Sequence, residues 1–205
     1  GLAILVLLSV SIVTFVIARV IPSDPAALWV GPRATAEQLA EAREKLGLNR
    51  PLIIQYLDYI SSVVQGDLGV SVKTHRPVVQ DLKQKLPATF ELVLFGMFWA
   101  VIIGIPVGVL SGANPDSPLD HVSRFLAIAG VSIPTFWLGL LLQLLFFGKL
   151  GILPLGGRVD RSISLYHPIQ FITGFNLVDS LITANWAGFK SSLSHIILPS
   201  FSLAT

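Results

Sequence analysis

The chain lacks cysteine and is poor in charged residues. None of its 205 residues is Cys, which excludes disulfide frameworks, Cys-based zinc sites and thiol catalysis. Only 13% are charged, whereas soluble domains usually carry about 25%, and 53% are hydrophobic. A formal net charge of +2 is too small to indicate nucleic acid or strong binding to anionic lipid. The composition therefore predicts a membrane protein.

Sequence patterns for catalysis, metal binding and nucleotide hydrolysis are also missing. The four histidines show no HExxH or comparable spacing, and neither a GxSxG elbow nor a GxxxxGK[ST] phosphate loop occurs. The two long apolar segments at 92–112 and 125–148 hold no acidic residue, which argues against an intramembrane aspartyl protease or a proton-coupled carrier. We predict no catalytic residue, no metal site and no cofactor.

Three segments are long and apolar enough to cross a bilayer, which takes about 20 residues for about 30 Å of hydrocarbon. They are 1–20, 92–112 and 125–148, and a fourth begins near His195 and is cut short at Thr205. The first could instead be a signal peptide, but no cleavage site follows it. The prolines of "ARVIPSDP" follow and are expected to end a true span.

Residues 21–90 form a long loop in which two amphipathic helices are predicted. A capping box of Thr35 and Gln38 starts the first, which ends at Gly47. Asn49 as cap and Pro51 as first residue start the second, which ends before Gly66. The apolar faces comprise Leu39, Ala42 and Leu46 in the first helix and Ile53, Tyr56, Leu57, Ile60 and Val64 in the second. We expect both helices to pack on the membrane domain.

The connections that follow differ in length. The short, turn-rich connection 111–124 predicts that the spans on either side of it are antiparallel neighbours. The loop 149–194 is rich in Gly and Ser and carries aromatic residues suited to a membrane–water boundary. These are Phe171, Phe175, Trp186 and Phe189.

The second span carries small residues four apart, which predicts a helix-packing face. They are Gly96, Ala100, Gly104, Gly108 and Gly112, with Pro106 among them as a predicted kink. A helix that packs in this way belongs to a bundle.

The third span contains a breaker and polar residues where plain Leu and Val would suffice. Pro134 lies about a third of the way into the predicted helix and would leave the Gly130 carbonyl free, while Ser132 and Thr135 could satisfy carbonyls nearby. Gln143 lies at lipid depth, where an amide forms an interhelical hydrogen bond or lines a substrate path. The candidate path residues are Ser132, Pro134, Thr135, Trp137 and Gln143.

A chain-long set of motifs carries a family resemblance. The motifs are "IPSDPA" (21–26), "LGLNRPLIIQYLDYI" (46–60), "GDLGVS" (66–71), "LPATFELVLFGMFWAVIIGIPVGVLSG" (86–112), "SIPTFWLGLLLQLLF" (132–146), "LGILPLGGR" (150–158), "TGFNLVDSLITANW" (173–186) and "HIILPSFSLA" (195–204). In their order and spacing they resemble the inner-membrane permease subunit of bacterial and archaeal dipeptide/oligopeptide ABC importers.

The resemblance implies an all-α polytopic protein with the type I ABC importer transmembrane-domain fold, here as a fragment with three full spans and the start of a fourth. It implies a multi-pass protein of the cell inner membrane, with loops 21–90 and 149–194 outside and 111–124 inside. The implied partners are a second permease subunit, two ABC ATPase subunits, an extracytoplasmic solute-binding protein, a peptide and the lipid bilayer. Nucleic acid is not among them.

Several expectations follow from this resemblance. The family's ATPase-coupling loop comes after the fourth span, so its residues are not among these 205. Contact candidates for the binding protein, by location, are Asp24, Asp67 and Arg158. Close relatives carry nickel, opines, glutathione or oligosaccharides, which keeps other solutes open, and a membrane-embedded enzyme or scaffold is the alternative of another class.

Overall fold

The computed structural model describes residues 2–20, 24–71 and 73–205, and their regular structure is helical apart from an isolated bridge between Val70 and Pro77. The chain forms two compact units, residues 1–83 (unit 1) and 84–205 (unit 2). The helices are α1 (Leu2–Val20), α2 (Pro25–Val30), α3 (Ala36–Lys45), α4 (Leu52–Val64), α5 (Val78–Ala113), α6 (Pro118–Ser132), α7 (Thr135–Gln143) with a π-helical turn (Leu144–Lys149), α8 (Arg161–Tyr166), α9 (Asn176–Ile182) and α10 (Trp186–Ala204).

In unit 1, α1 and α4 meet through aromatic rings. The Phe15 ring is buried with its centroid 5.3 Å from that of Tyr56, and the Ser11 and Tyr56 hydroxyls lie 2.8 Å apart. Only part of the predicted apolar face of α4 packs against other described residues, because Ile53, Leu57 and Val64 are exposed. α4 begins at Leu52 with Pro51 as its N-cap, so the prediction of Asn49 as cap is wrong.

The capping box of α3 is confirmed. Thr35 Oγ1 accepts a hydrogen bond from the Gln38 amide N, and Gln38 Oε1 accepts one from the Thr35 amide N. Ala42 is buried, as its place on the apolar face requires. Helix α2, in which Pro25 takes the first position after Asp24, was not predicted. Pro22, expected to end α1, lies outside the described residues.

Among the described residues, α5 is the one single helix long and apolar enough to cross a membrane. It has 36 residues and starts 14 residues before the predicted span at 92. At 1.5 Å per residue its length is about 54 Å, so it extends well beyond about 30 Å of hydrocarbon. The apolar stretches of α1 and α4 are shorter, at Leu2–Ile17 and Leu52–Val64.

The segment 125–148 does not form the single helix that was predicted. α6 ends at Ser132, α7 begins at Thr135, and the two helix axes differ by 104°. Ile133 is extended (φ −86°, ψ 124°) because the residue before a proline avoids the helical region. The pair counts as a second candidate span only if its bent halves are taken together. That it crosses the bilayer stays a prediction.

Helix α10 is the centre of packing in unit 2. It begins at Trp186, nine residues before the fourth span predicted at His195, because the Asn185 side chain caps it through the Gly188 amide N. A Cβ on Gly96 of α5 would lie 3.4 Å from the Ser200 carbonyl oxygen, and one on Gly139 of α7 would lie 3.6 Å from Ser202 Oγ. Small residues therefore let α5 and α7 approach α10 closely.

Of the small residues that form a predicted packing face on α5, the first, Gly96, packs against α10. Gly96 is buried against α10, whereas a Cβ on Gly104, Gly108 or Gly112 would meet no atom of the described residues within 4 Å. A helix-packing role for those three glycines and for Ala100 stays a prediction.

Candidate functional site

The polar residues at the α6–α7 break make local contacts. Ser132 Oγ donates to the Ile128 carbonyl oxygen at 2.7 Å, one turn back along α6, as expected for a hydroxyl that satisfies a loosened helix end. Pro134 is the N-cap of α7, Thr135 is its first residue, and both are exposed together with Trp137. The break thus groups these four path candidates at one bend in the chain.

Gln143 lies at the other end of α7 and bonds to a loop. Its Nε2 donates to the carbonyl oxygen of Leu155 at 2.8 Å. The bond ties the end of α7 to residues 149–185, which we call the docked segment. A hydrogen bond to another helix was one of the two roles predicted for Gln143. In the described chain its side chain bonds instead to a loop carbonyl. A place on the substrate path stays a prediction.

Glu91 of α5 holds the docked segment in place, and it was not among the predicted site residues. Its Oε2 accepts a hydrogen bond from Arg158 Nη2 and its Oε1 accepts one from the Leu177 amide N, both at 2.7 Å. Arg158 Nη2 also donates to the Gly174 carbonyl oxygen at 2.8 Å. The Glu91 residue is only 7% exposed. Arg158, predicted to meet a binding protein, therefore pairs within its own chain.

Asp179 organises the turn before α9. Its carboxylate accepts hydrogen bonds from the amide N atoms of Ile172, Thr173 and Gly174 and from Thr173 Oγ1. Burial raises the pKa of Asp179, but these donors outweigh burial and hold the pKa below its ordinary value. Gly174 has φ 83° and a Cβ there would lie 2.7 Å from Pro87 Cβ, so this turn requires glycine.

A second set of polar contacts joins the docked segment to α10. Ser191 Oγ accepts from the Asp160 amide N at 2.8 Å and donates to Asp160 Oδ2 at 2.9 Å. His195 Nδ1 lies 2.7 Å from the Ser191 carbonyl oxygen, which assigns its proton to Nδ1. Nε2 of the same ring lies 3.7 Å from Asp160 Oδ1.

A cavity of about 310 Å³ lies between α5, α10 and the loop at Gly157 and Arg158. Thr89 and Gly157 at its rim are exposed, whereas Glu91, Ser192 and His195 are buried. Within the described chain, the Ser192 hydroxyl has no hydrogen-bond partner. A larger cavity of about 880 Å³ is lined by Asp160 and Lys190 and also reaches His195. The polar side chains of the small cavity can therefore meet a molecule from outside.

The short connection between α5 and α6 is a locked turn. Asp120 accepts hydrogen bonds from Ser111 Oγ, the Asp116 amide N and two nitrogens of Arg124, at 2.7–3.0 Å. The bond from Ser111, followed by that from the Asp116 amide, lowers the pKa of Asp120. The connection 111–124 is therefore short and held by a carboxylate, and that the spans on either side of it are antiparallel neighbours stays a prediction.

Asp24 and Asp67, the other binding-protein contact candidates, have structural roles in unit 1. Asp24 accepts from Arg43 Nη2 at 2.6 Å and from the Ala26 amide N, and the bond from Arg43 lowers the pKa of Asp24. Asp67 Oδ1 accepts from the Gly69 amide N at 2.8 Å. Contact of either carboxylate with a binding protein stays a prediction.

Almost the whole chain matches known families of membrane transport components. Residues 1–93 match the N-terminal part of binding-protein-dependent transport system membrane components, and residues 104–205 match the binding-protein-dependent transport system inner membrane component. The chain belongs to this family. As an inner membrane component with helices throughout its described residues, it has the all-α type I ABC importer transmembrane-domain fold.

Individual relatives of this inner membrane component carry peptide-transport names. It is 44% identical over 201 residues to the probable D,D-dipeptide transport system permease protein DdpB of Escherichia coli (strain K12), covering 98% of this chain and 58% of that protein. It is 39% identical over 200 residues to the dipeptide transport system permease protein DppB of Alkalihalophilus pseudofirmus, covering 98% and 59%.

A third relative is the oligopeptide transport system permease protein AppB of Bacillus subtilis, 35% identical over 201 residues that cover 98% of this chain and 57% of that protein. The chain thus spans less than two thirds of the length of these curated relatives.

Proposed function

We propose that the full-length protein is a multi-pass permease subunit of an ABC importer in the cell inner membrane, and that it forms part of the path for di- and oligopeptides. The observation that supports this most strongly is 35–44% identity, over nearly the whole chain, to relatives named for dipeptide and oligopeptide transport. The partners we propose are a second permease subunit, two ATPase subunits that hydrolyse ATP, and an extracytoplasmic solute-binding protein.

The proposed mechanism is alternating access. Peptide passes between the two permease subunits beside α5 and the α6–α7 pair, where its backbone polar groups need hydrogen-bond partners. Ser132, Thr135 and Gln143 are the candidate partners. The bend at Pro134 supports a role in gating, since a chain break with few backbone bonds is where two helices can change their angle.

Uptake by cells tests the proposal. We expect deletion of the full-length gene to abolish uptake of labelled di-, tri- or oligopeptides, a panel that includes D,D-dipeptides because DdpB is named for them. Re-expression of the wild type should restore uptake. Normal peptide uptake by the deletion strain, with loss of nickel, glutathione or oligosaccharide uptake instead, would contradict a peptide importer.

The same assay tests Gln143. We expect Gln143→Leu to lower peptide uptake several-fold while the ATPase subunits still assemble on the complex. Because Gln143 also bonds to the Leu155 carbonyl, protease sensitivity of the docked segment is measured in parallel. Unchanged uptake by Gln143→Leu would remove the side chain from the path.

A further inference from the structure

The cavity of about 310 Å³ beside Arg158 has a volume suited to a small ligand, because ligand sites commonly enclose about 300–1,000 Å³. Thr89 and Gly157 at its rim are exposed, whereas Glu91 and Ser192 in its wall are buried, so a molecule that enters from the surface can reach both buried side chains. Its wall combines apolar side chains with Glu91, Arg158 and Ser192, and an unused packing defect between helices would not need such polar groups.

Ser192 is the residue that most clearly indicates a ligand. It is 4% exposed, and its Oγ has no partner in the described structure. The other buried serines around it differ, since Ser191 Oγ bonds to Asp160 and Ser200 Oγ bonds to carbonyls of its own helix. A buried hydroxyl without a partner is unfavourable, so its retention here is explained if a bound group completes it.

Arg158 supplies donors of a second kind. Its Nη2 makes the bonds to Glu91 and Gly174, whereas its Nε and Nη1 bond to no other residue in the described structure. Nε and Nη1 do not form a parallel pair, so each can donate a separate charge-assisted hydrogen bond to a carboxylate oxygen. Glu91 is itself engaged by Arg158 and by the Leu177 amide N, which limits its repulsion of an anion.

We propose that this cavity binds the terminal carboxylate of the transported peptide, with Arg158 and Ser192 as donors. The proposal rests on the function proposed above and adds the part of the substrate that this site recognises. Its other walls contain apolar side chains, among them Leu92, Ile196 and Pro199, which can contact the adjoining peptide residue.

Binding to the purified full-length importer, without its solute-binding protein, tests this directly, because the binding protein's own preference then does not enter. The probes are a labelled dipeptide and an analogue that lacks the terminal carboxylate. We expect Ser192→Ala to raise the Kd for the dipeptide about ten-fold, the scale of a lost hydrogen bond to a charged group. The Kd for the analogue should not change.

Ser200→Ala is the matched control, since Ser200 is a buried serine of the same helix that does not line the cavity. It should leave both Kd values unchanged. Ala88→Leu, which adds bulk to the cavity wall, should also weaken dipeptide binding and serves if Ser192→Ala does not assemble.

Equal Kd values of the wild type for the two probes, or an unchanged dipeptide Kd in Ser192→Ala, would overturn the proposal. Cellular uptake separates that result from failure of the proposed function. If the wild type imports peptides but binds the dipeptide no more tightly than the analogue, the subsite is refuted and the proposed function stands. If the wild type imports no peptide, the proposed function is refuted.

Discussion

The two hydrophilic segments of the chain are built from different kinds of polar contact. Residues 24–71 rely on ion pairs whose side chains are largely exposed, such as Lys45 with Glu41 and Arg50 with Asp58. The docked segment relies on carboxylates that are almost fully buried, since Asp179 is 1% exposed and Glu91 is 7% exposed. The comparison shows that the docked segment is fastened to the helices of unit 2 and is not a loose surface loop.

The physical difference lies in what happens when a partner is removed. An exposed ion pair returns to water when it is broken, so it contributes little to stability. A buried carboxylate or guanidinium that loses its partner keeps the cost of leaving water without the compensating bonds. Substitutions of the buried carboxylates that hold the docked segment should therefore have larger effects than matched substitutions in residues 24–71.

Glu91→Ala should have the largest effect. It removes the acceptor of both Arg158 and the Leu177 amide N and leaves a half-buried guanidinium with one carbonyl partner. We expect a loss of about 3 kcal/mol in stability of the full-length subunit, the lower end of the range for a broken buried pair. Thermal unfolding of the purified importer measures it, with Glu41→Ala as control. Equal unfolding temperatures for the two variants would contradict the comparison.

Asp179→Asn should have the second largest effect, and it should depend on pH. The folded-state pKa of Asp179 lies below its ordinary value of about 4, so its stabilisation is complete above that value and is lost as pH falls through the folded pKa. We expect protease resistance of the docked segment to be steady from neutral pH down to about pH 5 and to fall below about pH 4.

The docked segment of the Asn variant should be less resistant to protease than that of the wild type at neutral pH. Its resistance should also fall less than that of the wild type as the pH is lowered. Asp58→Asn is the matched control, because Asp58 is an exposed carboxylate with one ion-pair partner. A variant that is as resistant as the wild type at neutral pH would show that the Asp179 hydrogen bonds do not hold the turn.

Local sequence signals predicted part of this architecture well. The capping box at Thr35 and Gln38 depends on residues three apart, so the structure of the neighbouring chain is sufficient to form it. The break at Ile133 and Pro134 has an equally local cause, and a stricter use of the proline rule would have ended α6 there. Family membership confirmed the fold class that the chain-long motifs indicated.

The contacts that make up the candidate site could not be predicted in this way. Glu91 and Arg158 are 67 residues apart, and no pattern in the sequence says that a carboxylate next to an apolar span will meet that guanidinium. The Ser192 hydroxyl, which has no hydrogen-bond partner among the described residues, owes its position to the start of α10, and that helix was predicted to begin nine residues too late. Tertiary packing determines both features.

Arg43→Gln should have the smallest effect of the three substitutions. Arg43 pairs with Asp24 at 2.6 Å, but about half of its side chain is exposed, so water replaces the lost partner. Asp24 would still accept the Ala26 amide N and cap α2. We expect no resolvable change in unfolding temperature at physiological salt, and a small decrease at low salt, where exposed charges are less screened. A decrease as large as that of Glu91→Ala would mean that the two segments are fastened alike, since an exposed pair could then matter as much as a buried one.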